Sequence, residues 1–126
     1  MQFSSSMIEM AISFKAGGVP WRPSAGHYVL DRQSIVQRES PFQPGVYFIL
    51  NLPHFMKLAG GLDSLIEKMV WLPTWEQARD ILRESGLSDQ SLQSILQESQ
   101  SIAEANELTK LYELISERFA VSIAED

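Results

Sequence analysis

Apolar and polar residues alternate strictly near the start of the chain. Within residues 8–15, Ile8, Met10, Ile12 and Phe14 lie on one side of the alternation, and the other side holds Glu9, Ala11, Ser13 and Lys15. Successive side chains of a strand point to opposite faces, so this alternation predicts a strand with one buried face. The two glycines that follow, Gly17 and Gly18, are typical of a turn and predict where that strand ends.

Three further segments have the composition of strands. Residues 27–31 and 35–39 are short β-like runs joined by a polar Arg-Gln-Ser segment, which predicts a hairpin. Residues 45–50 form a continuous apolar run that is rich in aromatic and β-branched side chains. Such a run is typical of a strand covered on both faces, and we expect it near the centre of the sheet.

Helix signals begin after this apolar run. Asn51 is a suitable cap for a short helix that begins around Pro53. Asp63 is a suitable cap for a second helix, which runs to about Val70. The following Trp71-Leu72-Pro73 segment predicts a break in the helical region, because proline removes a backbone donor.

Capping boxes mark the starts of later helices. A Thr or Ser followed three residues later by Gln or Glu occurs at residues 74–77 and again at 101–104. Gly86 predicts the end of the first of these helices, and Ser88 predicts the cap of a helix between them. The last helix carries apolar residues at helical spacing, namely Leu108, Leu111, Tyr112, Ile115 and Phe119.

The order of these elements predicts a single α+β domain over residues 1–126. Residues 1–52 form the sheet-forming half, and residues 53–120 form the helical half. Strands followed by helices, rather than alternating with them, are typical of a mostly antiparallel sheet. We therefore expect about four strands, with four or five helices packed on one face or end of the sheet.

The amino-acid composition limits the functions that this protein can have. The chain has no cysteine, which excludes disulfides and thiolate chemistry and favours a cytoplasmic location. Its start lacks the basic segment of a secretory signal, and its longest apolar run is too short to cross a membrane. Residues 1–61 carry five basic and three acidic side chains, whereas residues 62–126 carry five basic and thirteen acidic ones. This balance argues against nucleic-acid binding, which requires a dense basic face.

Catalytic patterns are weak throughout the sequence. Phosphate-loop, nucleophile-elbow and zinc-binding motifs are absent, and the two histidines, His27 and His54, are far apart in sequence. Ser24 and Asp31 each lie within four residues of His27, but proximity in sequence does not make a catalytic triad or dyad. We therefore predict no catalytic residue, no cofactor and no metal site.

Aromatic residues are the stronger functional signal. Candidate binding residues lie in a proline-containing loop and around the predicted helix break, namely Trp21, Arg22, His27, Tyr28, Trp71 and Trp75. Tryptophan and arginine are frequent anchors of protein interfaces. The competing interpretation is structural, because large aromatic residues are also ordinary core material.

These observations favour a non-enzymatic protein that binds another protein or associates with itself as a homodimer. The alternative is a small-molecule-binding domain or minor enzyme with a pocket between the sheet and the helices. That pocket would be lined by Trp21, Tyr28, Tyr47 and Trp71, with polarity from Arg22, His27 or His54.

Overall fold

A computed structural model describes residues 3–98 and 107–119. The strands are β1 (Tyr28–Asp31), β2 (Val46–Phe48) and β3 (Met69–Leu72). The helices are α1 (Ser5–Ala16), α2 (Leu52–Ala59), α3 (Leu62–Lys68), α4 (Trp75–Glu84), α5 (Asp89–Glu98) and α6 (Glu107–Phe119). The α+β class is confirmed.

The described strands form one antiparallel sheet in the order β2-β1-β3. Tyr28 pairs with Phe48 on one side and with Leu72 on the other, so β1 occupies the centre. The sheet therefore has three strands in the described residues rather than about four. The central position predicted for residues 45–50 is wrong, because β1 lies at the centre and β2 is at one edge of the described strands.

Residues 8–15 are helical, so the strand predicted there is wrong. The side chains that α1 buries are Met7, Ala11 and Phe14, which are spaced as i, i+4 and i+7 on one helix face. Ser4 begins the helix, because its side chain accepts a hydrogen bond from the backbone N–H of Met7 at 3.1 Å. The alternating pattern concealed this helical stripe because Ala11 is small and falls on the polar side of the alternation.

Residues 35–39 do not form the predicted hairpin strand. The buried carboxylate of Asp31 accepts hydrogen bonds from the backbone N–H groups of Gln33, Ile35 and Val36, at 3.2, 3.1 and 2.8 Å. These bonds turn the chain immediately after β1 instead of letting it run back beside that strand. The antiparallel partner of β1 is β2, which follows later in the chain.

The helix predicted from Asp63 to Val70 is shorter than expected. Gly61 occupies its N-cap position, and α3 ends at Lys68. Met69-Val70-Trp71-Leu72 then forms β3, so the segment interpreted as a helix break is the third strand. Its β-branched and aromatic residues suit a strand, and pairing with β1 decides its conformation.

Most of the predicted helix ends are confirmed. The side chain of Asn51 accepts from the N–H of His54 at 3.1 Å, and Gly60 ends α2 with a φ of +95°. Thr74 begins α4 in the predicted capping box, and Ser88 accepts from the N–H of Ser91 at 3.1 Å. The second predicted capping box, at residues 101–104, lies outside the described residues.

Helices cover both faces of the sheet, rather than one face or end as predicted. One core contains Val70 and Leu72 of β3 together with side chains from α1, α4, α5 and α6. The other contains Val29 and Met69 together with side chains from α2 and α3. Residues of β1 alternate between the cores, because Tyr28 and Leu30 pack against the first core and Val29 lies in the second, as the two-residue period of a strand requires.

Candidate functional site

Three of the predicted binding residues, Trp21, His27 and Trp71, lie in contact. The two indole rings are stacked, with centroids 6.3 Å apart and an interplanar angle of 12°. The imidazole of His27 lies 5.0 Å from the ring of Trp71. Trp21 Nε1 donates a hydrogen bond to His27 Nδ1 at 3.1 Å. The loop between α1 and β1 thus brings its two aromatic residues against the edge strand β3.

Gln77 of α4 fixes this cluster. Its Oε1 accepts from Trp71 Nε1 at 3.2 Å and from the backbone N–H of Thr74 at 3.0 Å. Its Nε2 donates to the carbonyl of Gly26 at 3.3 Å. One side chain therefore joins β3, the start of α4 and the loop that precedes β1. The sequence assigns Gln77 only to a capping box, because its other two partners are distant in the chain or belong to another element.

An open cleft of about 470 Å³ lies beside the cluster, and we call it the indole cleft. Its lining residues are Pro20, Trp21, Arg22, His27, Trp71, Gln77, Asp80, Ile81 and Glu84. The four residues from α4 are spaced as one helix face, so the helix forms one wall of the cleft. Arg22, Asp80 and Glu84 are exposed. The cleft therefore combines partly buried aromatic rings with exposed charges of both signs.

A second, smaller cavity also uses Trp21 and Trp71, and we call it the edge pocket. Its volume is about 130 Å³. Its lining residues are Ala11, Phe14, Lys15, Val19, Trp21, Ile66, Met69 and Trp71. Lys15 is the only ionisable residue in this lining, so the pocket is mainly apolar. The two indoles thus contribute to both cavities, although neither cavity was predicted with this composition.

His27 is held as a neutral imidazole. Burial lowers the pKa of His27 below its ordinary value of 6.5. Its Nδ1 accepts a hydrogen bond from Trp21, so in the neutral ring the proton resides on Nε2. Protonation of Nδ1 would remove this acceptor. The imidazole therefore serves as a packing and hydrogen-bonding group in the cluster.

This arrangement predicts that acid destabilises the fold through His27. The unfolded chain takes up a proton near pH 6.5, whereas the folded protein resists protonation until the pH is lower. The contribution of His27 to the free energy of unfolding should therefore be fully present above pH 6.5, decrease as the pH drops towards the folded pKa, and become level below it. Urea titrations at a series of pH values should show a smaller decrease in His27→Gln. An equal decrease in wild type and His27→Gln would contradict the assignment.

Tyr28 and Trp75, the other predicted binding residues, lie outside the indole cleft. The Tyr28 ring packs against Phe3, Phe42 and Phe48, with centroids 5.6, 5.4 and 4.8 Å away. Trp75 is 39% exposed and donates from Nε1 to Glu107 at 2.8 Å. The Arg79 guanidinium lies 4.7 Å from the centre of its ring. Trp75 thus belongs to a separate polar surface formed by α4 and α6.

The other residues considered from the sequence are also separated from the cluster. The Tyr47 hydroxyl donates to the Arg38 carbonyl at 2.5 Å, and the His54 ring contacts Phe55. The Asp31 carboxylate accepts from backbone groups and does not orient the imidazole of His27. Ser24 contacts His27 through the backbone, since its carbonyl accepts from the His27 N–H. The structure therefore joins only Trp21, Arg22, His27 and Trp71 in one cleft.

Comparison with known proteins gives no relative from which a function of the indole cleft could be inferred. No protein-family model matches the chain, and no curated protein or solved structure is significantly similar to it. Within residues 3–98 and 107–119, no group of three or more potential metal ligands occurs. No helix in that part of the chain is long and apolar enough to cross a membrane.

Proposed function

We propose that this protein is a non-enzymatic binding domain whose indole cleft recognises a partner protein. The supporting observation is the stacked Trp21–Trp71 pair beside the exposed Arg22. Tryptophan and arginine are the side chains most enriched among those that dominate binding energy at protein interfaces. The cysteine-free sequence favours the cytoplasm as the place where this partner is bound.

The aromatic side chains are preorganised. Trp21 donates to His27, and Trp71 donates to Gln77, so hydrogen bonds and stacking both restrict the indole rotamers. Ordering a flexible side chain at an interface costs about 0.5–1.5 kcal/mol. A partner that contacts rings already fixed in place avoids most of that cost, which favours recognition by this surface.

The state of His27 supports binding over proton transfer. A general base needs a free ring nitrogen within reach of a substrate proton. Nδ1 of His27 is engaged by Trp21, and the neutral ring carries its proton on Nε2. The imidazole is thus suited to present a donor and an aromatic face to a bound group.

A small-molecule ligand is the second candidate. The cleft volume of about 470 Å³ lies within the range of roughly 300–1,000 Å³ that is typical of ligand pockets. An imidazole, a guanidinium and carboxylates line the same space, a combination that can orient a polar metabolite. A protein partner is favoured over a small molecule, because the cleft is open and its charged residues Arg22, Asp80 and Glu84 are exposed.

Reversing the charge of Arg22 tests the proposal. The partner, captured with the wild-type protein and then purified, should bind Arg22→Glu at least tenfold more weakly in calorimetry, a loss of about 1.4 kcal/mol. Arg22 is exposed, so this variant should fold normally. Light scattering on the same samples shows whether the partner is a second copy of this chain.

Arg38→Glu is the matched control. Arg38 is also an exposed arginine in the N-terminal half, but it does not line the indole cleft. We expect Arg38→Glu to bind the partner as the wild type does. Equal affinities of the wild type and Arg22→Glu would contradict the proposal. A metabolite that stabilises the wild type but not Arg22→Glu in a thermal-shift screen would favour the second candidate.

A further inference from the structure

The edge pocket lies at the outer edge of β3. Asp31 N donates to Gly45 O at 2.8 Å and Ile49 N donates to His27 O at 2.9 Å, so the odd-numbered residues of β1 direct their backbone groups towards β2. In an antiparallel ladder, its even-numbered residues must then bond to β3. Their partners there are Val70 and Leu72. Met69 and Trp71 therefore direct their N–H and C=O groups away from the sheet.

Met69 has partners for these outward groups. Its N–H bonds to the Leu65 carbonyl, and its carbonyl accepts from Lys15 Nζ at 3.3 Å. No backbone group in the described residues pairs with the outward N–H and C=O of Trp71. Within residues 3–98 and 107–119, the outward backbone donor and acceptor of Trp71 therefore have no backbone partner, and Trp71 also lines the edge pocket. A strand edge with unpaired backbone groups can pair with an extended segment of another chain.

The size of the pocket limits its occupant. An apolar cavity of roughly 150 Å³ can hold a benzene ring. At about 130 Å³, the edge pocket can hold one group of that size, such as a leucine side chain. Phe14, Ile66 and Met69 supply apolar walls, together with the two indoles. The lining therefore selects a single apolar side chain rather than an extended hydrophobic segment.

Charge at the pocket favours an acidic group beside that side chain. Lys15 Nζ donates to the carbonyls of Glu67 and Met69, which places its ammonium at the β3 edge. The pKa of Lys15 is lowered from its ordinary value, chiefly by burial. The Glu67 carboxylate opposes this shift, and the Arg32 guanidinium adds to it. Lys15 is the charged residue in the described lining of this pocket, so a carboxylate bound here would lie beside a cation. An acidic ligand is therefore electrostatically complementary to this edge.

We infer that the edge pocket is the anchor site for a segment of the partner protein. That segment inserts one leucine-sized side chain between α1, α3 and β3, pairs its backbone with Trp71, and presents an adjacent carboxylate to Lys15. This assignment rests on the proposed function and specifies its partner. The shared indoles let one protein occupy the edge pocket and the indole cleft together.

N-acetyl-leucine is a suitable probe, because it combines the side chain, a backbone-like amide and a carboxylate. Titrated into ¹⁵N-labelled protein, it should shift the indole signals of Trp21 and Trp71 and the amide signals of Lys15 and Ile66, with millimolar affinity. N-acetyl-alanine should bind at least tenfold more weakly, because it leaves the pocket unfilled. The uncharged N-acetyl-leucinamide should bind at least threefold more weakly, because it lacks the carboxylate.

Two variants separate the apolar and charged contributions. Ile66→Phe should fill part of the pocket and weaken both leucine probes, whereas Leu58→Phe, an exposed aliphatic-to-aromatic control elsewhere, should leave them unchanged. Lys15→Gln should remove the preference for N-acetyl-leucine over its amide. If Ile66→Phe fails to fold, the Lys15→Gln result still tests the site.

Several outcomes would overturn the anchor site. They are the absence of saturable shifts at these residues, equal binding of N-acetyl-alanine, and an unchanged probe preference in Lys15→Gln. Saturation by N-acetyl-leucine at micromolar concentration would assign the pocket to a free small acid instead. None of these results alters the Arg22→Glu measurement on the partner, so failure of the anchor site and failure of the proposed function are distinguishable.

Discussion

Asp31→Ala is expected to lower the free energy of unfolding by about 3 kcal/mol. The Asp31 side chain accepts from three backbone N–H groups, and the residue is only 8% exposed. Removing the carboxylate leaves these donors with no partner from that residue, and each buried unsatisfied donor costs about 1–3 kcal/mol. Water that enters the turn should recover part of the total. Urea denaturation of wild type and variant measures the difference.

Two comparison variants identify the cause of this loss. Asp31→Asn keeps one acceptor oxygen but directs an NH₂ group towards backbone donors, so its stability should lie between those of the wild type and Asp31→Ala. Asp63→Ala removes an exposed carboxylate in the first turn of α3 and should cost less than about 1 kcal/mol. The account of this turn fails if Asp31→Ala and Asp63→Ala are equally stable.

Gln77→Ala is expected to destabilise the protein by about 2 kcal/mol and to weaken partner binding. The truncation removes two accepted hydrogen bonds and one donated bond. Because Gln77 is only partly buried, water should replace some of these interactions. The Trp71 indole would then lose the bond that fixes its orientation in the indole cleft. Denaturation and partner calorimetry on the same variant measure the two effects.

The acidic analogue separates the roles of the amide. Gln77→Glu retains an acceptor for Trp71 and Thr74 but places a carboxylate oxygen against the Gly26 carbonyl. It should keep α4 capped while loosening the loop that carries Trp21 and His27. Gln93→Ala, on the exposed side of α5, should change neither stability nor binding. Binding by Gln77→Ala that equals the wild type would show that the cleft does not depend on this side chain.

The helix ends were predictable because their interactions are local. Asn51 accepts from the N–H of His54, and the Thr74 backbone donates to Gln77, so each cap lies within three residues of its partner. Strand identity was less predictable because it depends on distant pairing. Met69–Leu72 becomes a strand by pairing with β1, which is about forty residues earlier in the chain. In α1, a buried alanine concealed the helical period.

The candidate site was predictable in its residue types but not in its geometry. The aromatic composition of residues 21–28 indicated recognition, and Trp21 and His27 do meet Trp71. Their contact requires the β1–β3 register, which no local pattern encodes. The role of Gln77 likewise requires α4 to pack beside the loop before β1. The charged and aromatic residues thus indicated that a binding surface exists, whereas long-range packing determined the shape of the indole cleft.

Photocrosslinking at the indole cleft tests the central claim most directly. Photoreactive benzoylphenylalanine can replace Glu84 at the cleft, which leaves Arg22 in place, or Gln93 on the exposed surface of α5, and each protein can be irradiated in its native cells. We predict a discrete crosslinked protein from position 84, competed away by excess unlabelled wild-type protein, and none from position 93. Equal crosslinking from both positions, or none from position 84, would contradict the claim that the indole cleft binds a protein partner.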